Sequence, residues 1–468
     1  MDRAPVLSRR ALLRGAAGGA AVLASGALPA WARPVATAAG RVRGPDSRPF
    51  PGRPVGEPSL AEIEHVVVLM MENHSFDNLL GMVPFQVPGR ASVDGLTRRG
   101  VRITNANRDS AGRRVLAAHA GTPCQLRAVP SQSWNASHIA WAGGANSGFV
   151  RASGAVAMRY WDRDDLPFTY GLARQFPIGE RYFSSVLAQT YPNRRFPFTG
   201  TSSSSVDDLA DALQVVPAGG TIWDRLDDAR VNWGIYYEVD PVKGRLNVPS
   251  WLIVPGVSTP ARAPRVKTMD AFYADAAAGR LPSFTFLDPQ YDTTSEENPQ
   301  DIQVGERFVA RVTRALMHAP TWKRTALFLT YDEHGGYYDH VPPPRAIAPD
   351  AIAPIQSPGT PPPAPGGFDR YGFRVPLIVV SPWARAGYVS RIVQDHTSIT
   401  AFVERKWNLP AMTFRDANAH PMIDYFDFRA PAFGEPPRLP AAPPLAPGLA
   451  RCRAAGLTPP LPGIPGGG

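Results

Sequence analysis

Three uninterrupted apolar runs, each followed by polar residues, constrain the fold of this chain more than any other feature. They cover residues 65–70, 325–330 and 375–381. A short and wholly apolar run is typical of a strand buried on both faces, as in a parallel sheet. Helical patterns lie between and after the runs, at residues 165–176, 305–318 and 397–407. This alternation predicts an α/β protein, with a three-layer α/β/α core around a mostly parallel central sheet.

The most informative polar cluster follows the second run. Asp332 and Glu333 come directly after the predicted strand, and two glycines then allow the backbone to bend sharply. His340 follows in the same loop. Open α/β sheets bind their ligands at the carboxyl ends of strands, so this loop is a candidate site. A polar turn without a chemical role is the alternative interpretation.

The first apolar run ends in a similar way, with Glu72 and Asn73. Carboxylate and amide oxygens are hard ligands that suit a divalent cation. Capping of a following helix by Asn73 or Ser75 would explain the same residues without a metal.

A third cluster begins at Thr190 and continues with a proline, an asparagine and two arginines, of which Arg194 is the first. An arginine fork binds phosphate through two parallel hydrogen bonds. Thr190 would act as a nucleophile if a metal lowered the pKa of its hydroxyl. The alternative is a polar turn before the serine-rich residues 199–205.

Two further histidines are candidates for ligand contacts. His138 lies in a stretch rich in tryptophan, and a histidine there is as readily part of a core. His396 follows Asp395 and would bind metal or phosphate, or else help to cap the next helix.

Together these clusters supply oxygen ligands, a hydroxyl nucleophile and basic groups, which is the equipment for phosphoryl or phosphodiester hydrolysis. The chain contains no G-x-x-x-x-G-K-[ST] motif, which argues against a P-loop nucleotidase. It contains no G-x-S-x-G motif, which argues against an α/β-hydrolase esterase.

Composition narrows the class of partner. The chain has 468 residues, 44% of them hydrophobic, and a formal net charge of +9. Because no basic block is interleaved with aromatic residues, nucleic acid is not the expected partner. Anionic membrane surfaces and phosphorylated substrates suit the charge. The two cysteines, Cys124 and Cys452, would pair only in an oxidising compartment and only if they meet in space.

The N-terminal residues predict export. Arg9 and Arg10 precede a weakly apolar stretch that ends in an A-x-A site, so residues 1–32 are expected to be a twin-arginine signal peptide leading to the periplasm or the outside. Residues 33–58 are expected to be a loose leader and residues 59–433 the folded domain. Within that domain, residues 206–292 are a possible insertion and residues 341–367 a proline-rich surface loop. Residues 434–468 are expected to be an extended or disordered tail.

The motifs resemble the bacterial phospholipase C and acid phosphatase phosphoesterase family, within the alkaline-phosphatase-like superfamily. The resemblance spans residues 65–427 and is carried by residues 72–77, 165–168, 190–194, 330–344 and 395–398. It implies an alkaline-phosphatase-like core with a smaller cap or insertion region.

The resemblance also implies roles for individual residues. The metal ligands would be Glu72, Asn73, Asp332 and Glu333. Thr190 would form a covalent phosphothreonine that water then hydrolyses, with Arg194 and His340 in the phosphate shell. The oxygen ligands favour calcium, magnesium or manganese, whereas relatives in the superfamily often use zinc.

Two positions depart from the family pattern. Gln132 and Asn298 stand where many members have histidine, and an amide forms hydrogen bonds but does not donate a proton at a useful pKa. Gln132, His138, Asn298 and His396 are the expected substrate-binding residues.

The implied function is that of an exported, metal-dependent phosphoesterase that cleaves phospholipid phosphodiesters. The alternatives are a broad-specificity acid phosphatase, a degenerate phosphate- or phospholipid-binding protein with slow turnover, and a surface adhesin.

Overall fold

The computed structural model describes residues 42–125, 130–208, 217–239, 253–254, 256–291, 293–298, 300–357 and 364–444. The predicted signal peptide, Cys452 and most of the C-terminal tail lie outside these residues. Their predictions therefore stay predictions.

An eight-stranded sheet forms the centre of the fold. Its strands are β1 (His65–Met71), β2 (Ile178–Gly179), β3 (Trp233–Tyr237), β4 (Val266–Thr268), β5 (Phe284–Asp288), β6 (Thr325–Tyr331), β7 (Leu377–Val380) and β8 (Val389–Ser390). Their order is β4-β3-β5-β1-β6-β7-β2-β8. Only β7 runs antiparallel to its neighbours β6 and β2. The predicted α/β fold with a mostly parallel sheet is confirmed.

The α-helices of the described residues are α1 (Phe76–Leu80), α2 (Val83–Gln86), α3 (Trp134–Trp141), α4 (Phe149–Ser153), α5 (Pro167–Gln175), α6 (Thr190–Thr199), α7 (Ile222–Asp228), α8 (Met269–Ala277), α9 (Ile302–Met317), α10 (His396–Trp407) and α11 (Phe414–Ala417). Short 3-10 helices cover Ala142–Gly144, Ala155–Met158, Ala263–Arg265, Trp322–Arg324 and Ile423–Tyr425. The three predicted helices correspond to α5, α9 and α10.

Helices cover both faces of the sheet. Successive residues of a strand point to opposite faces, and every residue of β1 from Val66 to Met71 is buried. On one face, Val68 lies among Phe198 of α6, Ile222 of α7 and Ile399 of α10. A separate group formed by α5, α8 and α9 packs together. The result is the three-layer arrangement that the strand and helix patterns predict.

Small β elements lie beside the main sheet. Arg98–Arg99 pairs with Arg102–Ile103, Ala106–Arg108 pairs with Arg114–Leu116, and Ala118–His119 pairs with Arg159–Tyr160. They pack with α3 and α4 around a second cluster of buried side chains, which we call the satellite core; it includes Leu96, Ile103, Phe149, Leu187 and Phe373.

Two predictions about chain organisation were wrong. Residues 206–292 are not an insertion, because they contribute β3, β4 and β5 to the central sheet. The described part of the predicted leader, residues 42–58, is not loose. Asn408 accepts from the Phe50 amide (2.9 Å) and donates to the carbonyls of Phe50, Arg53 and Pro54 (2.9–3.0 Å).

The described end of the tail, residues 434–444, has no regular secondary structure, and Arg314 of α9 donates to the carbonyl of Pro440 (3.0 Å). Among the described residues, we find no helix with the length and apolar character needed to cross a bilayer.

Candidate active site

The register of β1 and β6 places the two predicted ligand pairs side by side. The strands are parallel neighbours, and Met71 lies opposite Tyr331. Glu72 and Asp332 are the next residues of each strand, so both emerge at the same edge of the sheet. The backbone amide of Asp332 still donates to the carbonyl of Met71 (3.1 Å), which fixes the two strand ends together.

Asn73 connects the side chains that follow the two strands. Its backbone amide donates to Oδ1 of Asp332 (3.0 Å). With its side-chain Nδ2 facing the site, Asn73 donates to Oε2 of Glu72 (3.1 Å) and to Oε1 of Glu333. With Oδ1 facing the site instead, oxygen atoms would face one another, which only a cation would stabilise. The structure thus brings all four predicted ligands together; Glu72, Asp332 and Glu333 form what we call the carboxylate cluster.

Thr190 lies against this cluster. It is the first residue of α6, and its side chain is 6% exposed. Its Oγ1 donates to Oε2 of Glu72 (3.2 Å). The predicted nucleophile and the predicted ligands therefore share one buried pocket.

Arg194 lies one helical turn after Thr190, on the same face of α6. Its Nε contacts Oε1 of Glu72 (3.0 Å) and Oδ2 of Asp332 (3.1 Å), and its Nη1 lies 3.5 Å from Oδ1 of Asp288. Its Nη2 donates to the carbonyls of Met70 and Met71 (3.1 and 3.0 Å). All three guanidinium nitrogens are therefore engaged with protein oxygens. The buried carboxylates engage its charge, and the predicted role of Arg194 in the phosphate shell stays a prediction.

Burial raises the pKa of Glu72 and of Glu333 well above the usual range, and the neighbouring charge of Asp332 raises both further. Arg194 opposes this effect at Glu72. The guanidinium faces more carboxylates than its single charge can balance. A buried set of hard oxygen donors with excess negative charge is chemically suited to a divalent cation, so the residues fit the predicted metal.

Two neighbours orient Glu333. Its Oε2 accepts from the backbone amide of Gly335 (2.8 Å) and lies 3.0 Å from Nδ1 of His334. Gly335 has a φ of +61° and packs directly on the backbone of Asn73. His334 is not among the predicted site residues, and its position beside Glu333 was the only sign of a role in the site.

His340 lies in a different set of charges. Its Nδ1 contacts Oδ2 of Asp77 (2.7 Å) and its Nε2 contacts Oδ1 of Asp94 (3.0 Å). Burial opposes protonation, but these two carboxylates raise the pKa of His340 to about 10. Arg374 binds Asp77 and Asp339 in the same set (3.0 and 2.9 Å). Carboxylates outside the carboxylate cluster contact both ring nitrogens, and the predicted place of His340 in the phosphate shell stays a prediction.

Two groups of three acidic or histidine residues, both distinct from the carboxylate cluster, have their ligand atoms within 4.8 Å of one another in the described part of the chain, and the three carboxylates of the carboxylate cluster do not lie that close together. The two groups are Asp77, Asp339 and His340, and His119, Asp162 and Asp165. In the first group Arg374 already supplies the positive charge. In the second, His119 forms an ion pair with Asp165 (2.7 Å).

The predicted substrate-binding residues are scattered. His396 contacts the backbone of a predicted ligand, since its Nε2 donates to the carbonyl of Asp332 (2.6 Å). Burial lowers the pKa of His396 to about 4, which favours the neutral imidazole. Asn298 accepts from the hydroxyl of Tyr337 (2.5 Å).

Gln132 and His138 lie in and before α3. The backbone carbonyl of Gln132 accepts from Ser137 (3.1 Å), and Nδ1 of His138 donates to the carbonyl of Trp134 (2.7 Å). The contacts of the described residues do not join either of them to the carboxylate cluster, and their substrate roles stay predictions.

Three acidic residues near the site are not among the predicted site residues. Asp288 ends β5 and faces Arg194, but its strand was not recognised. Asp208 accepts from the backbone amide of Tyr191 (2.7 Å), and burial raises its pKa to about 7. The charge of Glu297 contributes to the raised pKa of Glu72 and Glu333. Only Asp288 carried a sequence signal, a carboxylate at a strand end.

Comparison with known proteins identifies the family. The model of the phosphoesterase family matches residues 63–410. The chain is 30% identical over 415 residues to non-specific phospholipase C1 of Arabidopsis thaliana, covering 81% of this chain and 74% of that protein. It is 30% identical over 427 residues to phospholipase C A of Mycobacterium tuberculosis, covering 81% and 80%. The chain therefore belongs to the phosphoesterase family, and it is a hydrolase that acts on phosphoester bonds.

Among solved structures, a protein of the alkaline phosphatase superfamily from Vibrio parahaemolyticus is similar, with a TM-score of 0.35 at 9% identity. The match covers 73% of this chain and 78% of that one.

Proposed function

We propose that this phosphoesterase is a metal-dependent enzyme of the phospholipase C type that uses Thr190 as its nucleophile. The observation that carries the proposal is the contact between Thr190 Oγ1 and Glu72 (3.2 Å) inside the pocket that also holds Asn73, Asp332 and Glu333. The names of the relatives support the phospholipid substrate.

The proposed ligands are Glu72, Asn73, Asp332 and Glu333, and the ion would be calcium, magnesium, manganese or zinc. When bound, such an ion supplies a Lewis acid that lowers the pKa of the Thr190 hydroxyl and offsets the charge of the phosphate. Without a metal, the raised pKa of Glu72 and Glu333 favours their protonated forms, so metal binding would release protons.

The contacts of these side chains support the following reaction sequence. The hydroxyl hydrogen of Thr190 points at Glu72, which is the acceptor for its proton. The Thr190 oxygen attacks phosphorus, a new O–P bond forms, and the bond from phosphorus to the diacylglycerol oxygen breaks. The leaving oxygen takes a proton from the solvent and departs as diacylglycerol, and Glu72 keeps the Thr190 proton until the last step. Water then hydrolyses the phosphothreonine, which releases the phosphorylated head group and restores the hydroxyl.

Other residues position this machinery. Arg194 holds Glu72 and Asp332 at fixed separation, and His396 holds the carbonyl of Asp332. His334 and Gly335 hold Glu333. Such partners of metal ligands fix the orientation on which affinity and rate depend.

Two variants at one position test the nucleophile. Thr190→Val keeps the shape of the side chain but removes the hydroxyl, whereas Thr190→Ser keeps the hydroxyl. We expect Thr190→Val to lower kcat/KM for p-nitrophenylphosphorylcholine by at least about 1000-fold. We expect Thr190→Ser to retain measurable turnover, and thermal unfolding should show both variants folded.

The same assay tests metal and substrate class. Chelation should abolish hydrolysis, and the divalent ion that restores it identifies the metal. Faster cleavage of the phosphodiester than of p-nitrophenyl phosphate supports the phospholipase C type, and the reverse supports a phosphomonoesterase. Full activity in folded Thr190→Val would eliminate Thr190 as the nucleophile.

A further inference from the structure

An exposed β-hairpin with a basic stem and an apolar tip projects from the satellite core. Its strands are Arg98–Arg99 and Arg102–Ile103, and Gly100 and Val101 form the two-residue turn. Gly100 has a φ of +62°, as this tight turn requires. The side chain of Val101 is 98% exposed, although it is apolar. We call residues 97–104 the basic hairpin.

A second hairpin adjoins it and extends the positive charge. It is formed by Ala106–Arg108 and Arg114–Leu116, and its Arg108, Arg113 and Arg114 are exposed. Residues 97–117 contain six arginines and one acidic residue, Asp109, and so carry a formal charge of +5. The whole chain carries +9. Much of the basic character of the protein is therefore concentrated on these two hairpins.

The register of the basic hairpin sets like charges against each other. Arg99 lies directly opposite Arg102, and both are exposed. Like charges in this position destabilise a hairpin unless an anion lies close by. The guanidinium of Arg98 lies over the ring of Phe85, 4.1 Å from its centre. The exposed arginines of the hairpin therefore favour a negatively charged partner.

Buried side chains and hydrogen bonds at its base fix the position of the basic hairpin. Leu96 and Ile103 are buried in the satellite core. Thr97 donates from its backbone amide to Oδ1 of Asn105 (2.6 Å), and the amide of Thr104 donates to the carbonyl of Thr97 (2.9 Å). A stem fixed in this way presents its tip at low entropic cost on binding.

The satellite core also connects the hairpin to the active-site edge of the sheet. It contains Leu187, three residues before Thr190. It also contains Phe373, whose ring lies 4.6 Å from that of His334. The satellite core therefore packs against both the basic hairpin and residues that lie next to the candidate site.

We propose that the two hairpins dock the protein onto a bilayer rich in anionic phospholipid, with Val101 entering the interfacial region and the arginines binding lipid phosphates. Apolar residues flanked by basic ones bind such surfaces because area burial and charge attraction add. Adsorption of this kind goes beyond the proposed function, because it would occur even if the centre hydrolysed a soluble phosphoester.

Vesicle binding by the full chain tests the proposal. The vesicles contain phosphatidylglycerol with phosphatidylcholine, or phosphatidylcholine alone. Three variants are compared: Arg99→Gln/Arg102→Gln, Val101→Ser, and the matched control Arg280→Gln/Arg324→Gln. The control removes the same charge from side chains that are 64% and 55% exposed and lie just before β5 and β6, at the opposite edge of the sheet.

We expect binding to the anionic vesicles only. Each arginine at an anionic surface contributes about fivefold, so the hairpin double variant should lose roughly 25-fold. Val101→Ser should lose severalfold, and the control should change less than about twofold. Hydrolysis of soluble p-nitrophenylphosphorylcholine should not change in any variant, which separates this test from that of the proposed function.

Three results would overturn the proposal. Equal losses in the hairpin and control double variants would show that net charge alone drives adsorption. Full binding by Arg99→Gln/Arg102→Gln would place the contact elsewhere. Displacement from vesicles by duplex DNA at lower concentration than by soluble phosphatidylglycerol would identify a nucleic-acid partner instead.

Discussion

Gly335→Ala should damage the candidate site more than any comparable glycine substitution. Gly335 has a φ of +61°, and alanine in this left-handed region costs about 1–2 kcal/mol. A Cβ at Gly335 would also lie 1.9 Å from the carbonyl oxygen of Asn73 and 2.6 Å from its carbonyl carbon. Real contacts need more than 3.0 Å, so one backbone must move by over an ångström.

Neither backbone is free to move. The amide of Asn73 is held by Asp332 (3.0 Å), and the amide of Gly335 is held by Glu333 (2.8 Å). Losing one buried hydrogen bond to a charged group costs about 1.5–3 kcal/mol. With the left-handed strain, we expect Gly335→Ala to destabilise the protein by about 2.5–5 kcal/mol and to weaken metal binding.

Gly387→Ala is the matched control. Gly387 has a φ of +67°, but a Cβ there would meet no atom within 4 Å. Gly387→Ala should therefore lower the free energy of unfolding by about 1–2 kcal/mol, through backbone strain alone. Urea unfolding gives both free energies, and calorimetric titration with a divalent ion gives the affinity. A Gly335→Ala protein that matches the control in stability and binds metal normally would show that the contact between Gly335 and Asn73 does not constrain the site.

Two further predictions concern pH. Burial raises the pKa of Glu306 from 4.5 to about 8, so the folded protein keeps a proton that the unfolded chain releases, and stability should fall as pH rises across this range. Glu306→Gln keeps an acceptor for the amides of Phe168 and Thr169 and should flatten that fall in urea titrations; an unchanged slope would contradict it. The pKa of His340 is raised from 6.5 to about 10, although burial opposes this shift. Its ion pairs therefore stabilise the folded protein fully below pH 6.5. This contribution to the free energy of unfolding should be lost as the pH rises to about 10. His340→Gln should lower stability at pH 6 and remove the alkaline decline in thermal unfolding, whereas equal stability of the variant and the parent protein at pH 6 would show that the pairs contribute nothing.

Sequence patterns located the centre of the fold because its strands are long and wholly apolar. The run at 65–70 and the run at 325–330 became β1 and β6, and the polar residues after each of them met at one edge. The sequence did not predict β3, because a five-residue apolar strand without flanking turn residues resembles any short buried segment. Missing β5 also meant missing Asp288.

Roles that depend on long-range pairing were less predictable. Arg194 and His340 have the right chemistry to bind phosphate, and local sequence gives no sign of the carboxylates that engage them. Those partners are up to 263 residues away along the chain. Tertiary packing determines which carboxylate pairs with a buried basic side chain. A long apolar strand is recognised mainly from its own residues.

The guanidinium of Arg194 has a consequence for how the protein is assembled. Because it already bridges Glu72 and Asp332, the pocket has an internal counterion before any metal arrives. Part of the charge that holds the two strand ends together therefore comes from the protein itself, and only the remaining negative charge is left for a bound cation.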